Sequence, residues 1–552
     1  MKANKYLLLV SSLGVLALLI VAAVQENVFK DWRRIQRSAR SSTGEIEAHL
    51  RQIVIPPLRV TDRCTSCHVG MAPGEQGLAG SPVLASHPNV GHDPAAFGCT
   101  VCHGGQPRAT ETADAHGDVP YWPRPMIPKR FAYAGCGSCH THLLVPNLTQ
   151  LRQGRTVFEQ YDCLACHRLD GRGATLRPGG GGMEGPDLSR TGAQGYRKDW
   201  YEDHLARRAK AEEGPWQTSF GAIPKGDRDA LDVFLVSRVG APGLTEAKAL
   251  FHSLGCRGCH RIGGVGGDDG PDLTLEGERD PGRLDFAHVP GKATLANWLA
   301  EHFRAPATLV PGSKMPALGL AEDQIWLLTF YMLSLRRSDV PEAFWPKDRI
   351  RAERFGEREF ATDGATLFGT FCAACHGASG QGMRYPGIPP FPAIGNLDFL
   401  ALASDEFLTA TVRGGRPGRR MPAWGEKEGG LRPAEITEVV AHLRRLGDGV
   451  TPEADRKPQR WAQGDAKEGV RLFTAFCAAC HGPRGEGKEG PALNNKVLLT
   501  TATDTYLVET IRRGRRGTEM EGFANPSTIR PALSASEIES IVTYLRTWEA
   551  GS

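Results

Sequence analysis

The stretch Leu367-Phe368-Gly369-Thr370-Phe371-Cys372-Ala373-Ala374-Cys375-His376-Gly377 returns, little changed, as Leu472-Phe473-Thr474-Ala475-Phe476-Cys477-Ala478-Ala479-Cys480-His481-Gly482. Both are built around C-x-x-C-H. Five more copies of that motif precede them: Cys64/Cys67/His68, Cys99/Cys102/His103, Cys136/Cys139/His140, Cys163/Cys166/His167 and Cys256/Cys259/His260. Paired thiols followed directly by an imidazole are the attachment pattern of c-type haem. The thiols add to the porphyrin vinyl groups, and the histidine reaches the iron from the same turn. A redox dithiol or half of a zinc site gives the same spacing once, not seven times. The seven motifs use all 14 cysteines, so no thiol remains for a disulfide.

The expected cofactor load is therefore seven covalently bound haem c groups. At 552 residues, several domains of about 100 residues each are expected. Glycine (66) and proline (38) approach a fifth of the chain, and aromatic residues are only 7%. Haem domains can be this loop-rich because buried porphyrin replaces part of the apolar core. The net charge is +4 with both signs interspersed, which leaves no nucleic-acid footprint.

Lys2 and Lys5 precede an uncharged run from Tyr6 to Val24, nineteen residues interrupted only by Ser11, Ser12 and Gly14. That length suits a bilayer-spanning helix better than a cleaved signal, although Val21-Ala22-Ala23 offers a cleavage site. Lys30, Arg33, Arg34, Arg37 and Arg40 follow the run, so loop charge does not set its orientation. Haem attachment does, because that chemistry belongs to the outer side of the bacterial inner membrane. The expectation is a single-pass anchor with the haem domains in the periplasm.

From about Gln150 the texture becomes serial. Gly185-Pro186-Asp187-Leu188 follows Cys163 as Gly270-Pro271-Asp272-Leu273 follows Cys256. Amphipathic runs close the four repeats at Asp229 to Val239, Glu322 to Arg336, Pro433 to Leu446 and Ser534 to Trp548. Basic, proline-containing stretches near Val340 to Arg358 and Val450 to Gln463 read as linkers.

Residues from about 150 to 552 resemble four class I cytochrome c domains, the later two most like those fused to respiratory oxidases. The start carries Asp62-Arg63-Cys64-Thr65-Ser66-Cys67-His68-Val69-Gly70 and Phe97-Gly98-Cys99-Thr100-Val101-Cys102-His103-Gly104-Gly105-Gln106. It resembles multihaem subunits that accompany bacterial quinol-oxidising cytochrome b complexes. The expected architecture is mainly α. A transmembrane helix (1–25) and helical linker (26–60) lead to a loop-rich tri-haem module (61–148). Four serial cytochrome c domains follow at 149–241, 242–340, 356–450 and 460–552.

His68, His103, His140, His167, His260, His376 and His481 are the expected proximal ligands. Sixth ligands follow from supply. Met315 in Lys314-Met315-Pro316, Met421 in Met421-Pro422-Ala423-Trp424 and Met520 in Glu519-Met520-Glu521 each stand before a terminal helix. The resemblance also implies that Pro271 and Pro491 set their carbonyls against the proximal imidazoles. In the tri-haem module His87, His92 and His116 are favoured, with His49 and Met126 in reserve and His142 too close to His140. Bis-His coordination there implies lower potentials than His/Met coordination. The fourth motif lacks a methionine between Trp216 and Pro224, so its sixth ligand is Met183, His204 or none. His204 also matches His302 of the next domain, which favours a packing role. Arg413, Arg416, Arg419 and Arg420 before Met421, and Arg512, Arg513, Arg515 and Arg516 before Met520, suit either haem propionates or an acidic partner.

No catalytic residue beyond haem is evident, so the leading expectation is electron transfer. The donor is a quinol-oxidising cytochrome b-type complex, and the acceptor a terminal oxidase or soluble carrier. A multihaem reductase using the fourth haem as its substrate site is the alternative. An extracellular electron conduit is a weaker one.

Overall fold

The computed structural model describes residues 2–41, 44–72, 77, 82–88, 90–173, 185–194, 203, 223–239, 241–337, 339–528 and 530–549. Helix α1 (Lys2–Val24) has 23 residues and is exposed along its described length. At about 1.5 Å per residue it is about 35 Å long, enough to cross a bilayer by length and composition. A π-helical turn (Gln25–Phe29) leads to α2 (Asp31–Ser38). Gln36 on α2 is fully buried; its amide donates to the carbonyls of His49 (2.9 Å) and Ser66 (2.8 Å). That contact ties α2 to the first C-x-x-C-H turn.

The expected helical linker over 26–60 is helical in its first part only. Ile53–Ile55 (β1) pairs antiparallel with Val60–Asp62 (β2), Ile53 opposite Asp62. Ile53 and Ile55 point inward and Val54 outward, the period-two pattern of β-branched residues that a helix would not exploit. The described residues of 61–148 otherwise hold short helical turns, with long connections pinned by buried polar groups. The fully buried Asp62 carboxylate accepts from the Cys99 and Thr100 amides and the Thr100 hydroxyl, which fixes the second motif against the first.

Each later repeat closes on crossed first and last helices. These are α3 (Leu148–Gln160) with α4 (Lys225–Val236), and α5 (Pro242–Ser253) with α7 (Glu322–Ser334), the latter pair having α6 (Leu295–Arg304) between them in sequence. The last two repeats run α8 (Gly364–Phe371), α9 (Asp405–Gly414), α10 (Pro433–Leu446), and α11 (Ala466–Phe476), α12 (Asp504–Arg513), α13 (Ala535–Thr547). A glycine makes three of the crossings possible. A Cβ at Gly154, Gly364 or Gly469 would meet the carbonyl oxygen of Ala230, Glu438 or Ser540 at 2.0, 2.1 and 2.1 Å. The fully buried Ala247 stands nine residues before Cys256, as Gly154 does before Cys163. Phe158 and Phe234 fill the first crossing, Phe368 the third and Phe473 the fourth, all nearly solvent-free. Each such ring contributes about 1.5–3 kcal/mol of burial.

The modules pack on one another. One continuous apolar core runs through the last two repeats, with Phe407 against Tyr506 at 4.8 Å between ring centres. The tri-haem segment enters the α5–α7 core through Ile127, Phe131, Ala134 and Leu143, and Phe131 stacks on Trp326. The expected linker stretches are pinned. Lys347–Phe355 is helical, the Arg358 guanidinium holds the buried Glu435 carboxylate at 2.7 Å, and Asp504 accepts from the Trp461 and Ala462 amides.

Candidate haem sites

All seven C-x-x-C-H motifs adopt one turn. The histidine amide donates to the carbonyl of the first cysteine at 2.9 Å in six motifs and 3.0 Å at His260. This single helical turn points both thiols and the imidazole to one side, and no cysteine is in a disulfide. In the last four motifs the imidazole orientation is fixed as well. Nδ1 of His167, His260, His376 and His481 lies 2.9, 2.9, 3.0 and 2.8 Å from the carbonyl oxygens of Pro186, Pro271, Pro392 and Pro491. Nδ1 must therefore carry the proton, leaving the Nε2 lone pair free for a metal. A glycine lies flat on three of these rings: a Cβ at Gly185, Gly270 or Gly490 would come within 2.5, 2.5 and 2.8 Å of them. Burial pushes His260, His376 and His481 toward the neutral, ligating form, partly opposed by the proline hydrogen bond.

Pro271 and Pro491 are the prolines expected from sequence. Pro186 and Pro392 stand outside that expectation. Pro186 is legible in the repeated Gly-Pro-Asp-Leu. Pro392 lies 16 residues beyond its histidine, against 10 for Pro491, and the longer loop hides it.

In the tri-haem segment each proximal histidine faces a different one of the three favoured partners. Ring centres are 6.5 Å apart for His68 and His116, 6.1 Å for His103 and His87, and 6.2 Å for His140 and His92. Two metal–imidazole bonds of about 2 Å, plus roughly 1 Å from each nitrogen to its ring centre, put the centres about 6 Å apart. The residues present thus fit a haem iron between each pair. Of the residues not favoured, the His49 ring, a reserve, is exposed beside the Glu47 carbonyl, and His142, set aside as too close to His140, bonds the Thr141 hydroxyl.

Met315, Met421 and Met520 are half-buried, and their loops share construction. The Arg416 amide donates to the Met421 carbonyl at 2.9 Å, and the Arg515 amide to that of Met520 at 2.7 Å. Met315 and Met520 take an amide bond to the hydroxyl two residues back, on Ser313 and Thr518. Met183 and His204 lie outside the described residues. His302 stacks on Trp298 (5.1 Å, 6° between planes), and burial, then the His260 and Arg279 charges, pushes it down to about 4.

A cytochrome c family model matches residues 244–336 and 466–549, and one for the cbb3-type cytochrome c oxidase subunit III matches 359–443. Among similar proteins is the cbb3-type oxidase subunit FixP of Bradyrhizobium sp. (strain ORS 278), 37% identical over 180 residues, which cover 30% of this chain and 57% of that one. FixP of Bradyrhizobium diazoefficiens is 34% identical over 179 residues, with the same shares. CcoP of Rhodobacter capsulatus is 28% identical over 200 residues, 34% of this chain and 62% of that one. The chain spans about three fifths of the length of these relatives.

This chain is a multihaem c-type cytochrome. It contains several cytochrome c domains in its C-terminal half and is distantly related to the CcoP/FixP subunits of cbb3 oxidases.

The attachment turns of this cytochrome touch one another. The Cys64 thiol lies against Cys99, and Cys259 against Cys375. A Cβ at Gly135, just before Cys136, would overlap the Cys102 carbonyl, and one at Gly137 would meet the Ser334 carbonyl at 2.1 Å. The third turn therefore packs on both the second turn and α7. The Arg190 guanidinium, from the fourth repeat, stands beside Gly91, next to His92. Four of the eight arginines before Met421 and Met520 reach out of their own repeat. Arg420 pairs with Asp269, Arg516 with Asp398, and Arg513 with Glu453, while Arg419 donates to Asn494 and Arg416 to Thr411. They are clamps between and within repeats, which neither sequence reading anticipated.

Proposed function

We propose that this chain carries seven haem c groups and serves as a membrane-tethered periplasmic electron relay. It takes electrons from a quinol-oxidising, cytochrome b-type membrane complex and delivers them to a terminal oxidase or soluble carrier. The observation that carries this reading is the succession of turn-to-turn contacts: Cys64 on Cys99, Gly135 on Cys102, Cys259 on Cys375. Groups attached there would be neighbours through the first three turns and again at the fifth and sixth.

Bound haem supplies reversible one-electron chemistry at iron. The chain's own residues hold and tune it. Cys64, Cys67, Cys99, Cys102, Cys136, Cys139, Cys163, Cys166, Cys256, Cys259, Cys372, Cys375, Cys477 and Cys480 tether it. His68, His103, His140, His167, His260, His376 and His481 are the proximal ligands. His116, His87 and His92 complete the tri-haem sites, in that order. Met315, Met421 and Met520 complete the fifth to seventh. Imidazole donates more strongly to ferric iron than thioether, so potentials rise from the module nearest α1 toward the later domains. The exposed α1 supports an anchor, and the relationship to cbb3 oxidase subunits supports a respiratory complex as partner.

The test is purification of the chain from gently solubilised membranes. Co-purification of a cytochrome b-type quinol oxidoreductase supports the assignment. Recovery from the soluble fraction with no membrane partner would refute it.

A further inference from the structure

The sixth and seventh turns share Cys-Ala-Ala-Cys-His-Gly, yet their surroundings differ. On the sixth, Ala374 and Cys375 are half-buried beneath the fifth turn. A Cβ at Gly255 would meet the Ala374 Cβ at 3.0 Å, and one at Gly258 would lie 3.7 Å from it. Cys259 touches Cys375, and Arg420, immediately before Met421, pairs with Asp269. One attachment turn thus docks on another through two glycines, facing sulfurs and a charge pair at the rim.

The same face on the seventh turn is open. Ala479 and Cys480 are exposed, and Cys480 is the only exposed cysteine of the 14. The loops align through the matching Arg416–Met421 and Arg515–Met520 backbone bonds, so Glu519 occupies the place of Arg420. Glu519 is exposed too. The steric half of the docking face is kept and its rim charge is reversed.

Building on the relay reading, we propose that the seventh turn is the docking face for a separate c-type haem protein. That partner presents a glycine-bearing attachment turn like the fifth, with a lysine or arginine where Asp269 stands. A second copy of this chain does not fit, because its own fifth turn is already covered and carries an acid there. Each encounter moves one electron, so that the chain is oxidised by one equivalent as the partner is reduced by one.

The fully haem-loaded chain, reduced with dithionite, is mixed by stopped flow with an oxidised monohaem cytochrome c whose haem rim is lysine-rich, and separately with one whose rim is acidic. At low salt the lysine-rich acceptor should react about tenfold faster, and Glu519→Lys should reverse the preference, because rim charges act on association rate. Ala479→Val should slow the lysine-rich acceptor about fivefold, since the docked pair at Ala374 leaves no room for added methyls. Val101 already fills that motif position in the second turn, so attachment tolerates the change. Haem content and the rate with ferricyanide serve as controls and should not move. Rates within twofold of wild type for both variants overturn the proposal. So does a dimer in sedimentation that Glu519→Lys dissociates, which would assign the face to self-association. Failure to reduce ferricyanide or either cytochrome would instead overturn the relay reading.

Discussion

Glu359 is the residue whose loss should be felt most widely. Its largely buried carboxylate accepts from Lys248 of α5 and from Arg257 inside the fifth motif, and Lys248 also donates to the Leu143 carbonyl at 2.9 Å. The Glu359 carbonyl in turn accepts the Val145 amide at 2.6 Å. One residue thus joins the end of the tri-haem segment, the fifth haem turn and the start of the sixth repeat. Burial alone would raise its pKa; the Lys248, Arg257 and His252 charges outweigh that and hold it at about 2, against an ordinary 4.5. At 1.36 kcal/mol per decade this is about 3 kcal/mol of preference for the ionised form in the folded protein. Breaking a buried charge network independently suggests about 3–5 kcal/mol, because Lys248 and Arg257 would keep the cost of burial without their counter-ion. Burial already pushes the Lys248 ammonium down, so the network is a lock on geometry more than a net gain in stability. We expect Glu359→Ala to lower the melting point of the haem-loaded chain by about 6–20 °C at pH 7, at about 2–4 °C per kcal/mol. A depressed carboxyl stabilises above its unfolded pKa and loses that contribution as pH falls. The gap between wild type and variant should therefore be full at pH 7 and shrink from about pH 4.5 toward 2. Thermal unfolding followed by near-ultraviolet circular dichroism at pH 7 and pH 3.5 reads both effects. A shift under 2 °C, or one that does not change with pH, would show that Glu359 does not hold this junction.

Three further outcomes follow from the sites and the fold. Met421→His should lower the potential of one haem and leave the others, since imidazole replaces thioether; a redox titration with no shifted component would exclude Met421 as ligand. His116→Ala should turn one low-spin haem into a high-spin site that binds carbon monoxide when reduced, and an unchanged spectrum would separate His116 from the iron. Gly364→Ala should cost at least about 2 kcal/mol, because its methyl would sit 2.1 Å from the Glu438 carbonyl where the helices cross; denaturant unfolding with an unchanged midpoint would contradict that packing.

What was legible in the sequence was what repeats. The seven motifs and the closing helices recur at comparable spacing, and the α10 run from Pro433 to Leu446 matches its sequence signal to both ends. The pairing of His68, His103 and His140 with His116, His87 and His92 rests on long loop closures. The ligand supply pointed to those three histidines, while the order of pairing depends on three-dimensional approach. The β1–β2 hairpin is hard to read because its strands have three residues each, too few for periodicity to declare itself. Glu359 lies one residue past the basic stretch that reads as a linker, where charge suggests solvent; only folding brings Lys248 and Arg257 to it. The arginine clamps were hidden for the same reason. Asp269, Asp398 and Glu453 are distant in sequence, and a charge pattern alone does not distinguish a clamp from a docking surface.

The most direct test is coulometric titration of the purified full-length chain. Seven reversible electron equivalents per polypeptide are expected, all retained after denaturation removes any haem that is not covalently bound. The lower-potential group should consist of the three tri-haem sites. Fewer than seven equivalents, or haem lost on denaturation, would contradict the seven-haem assignment.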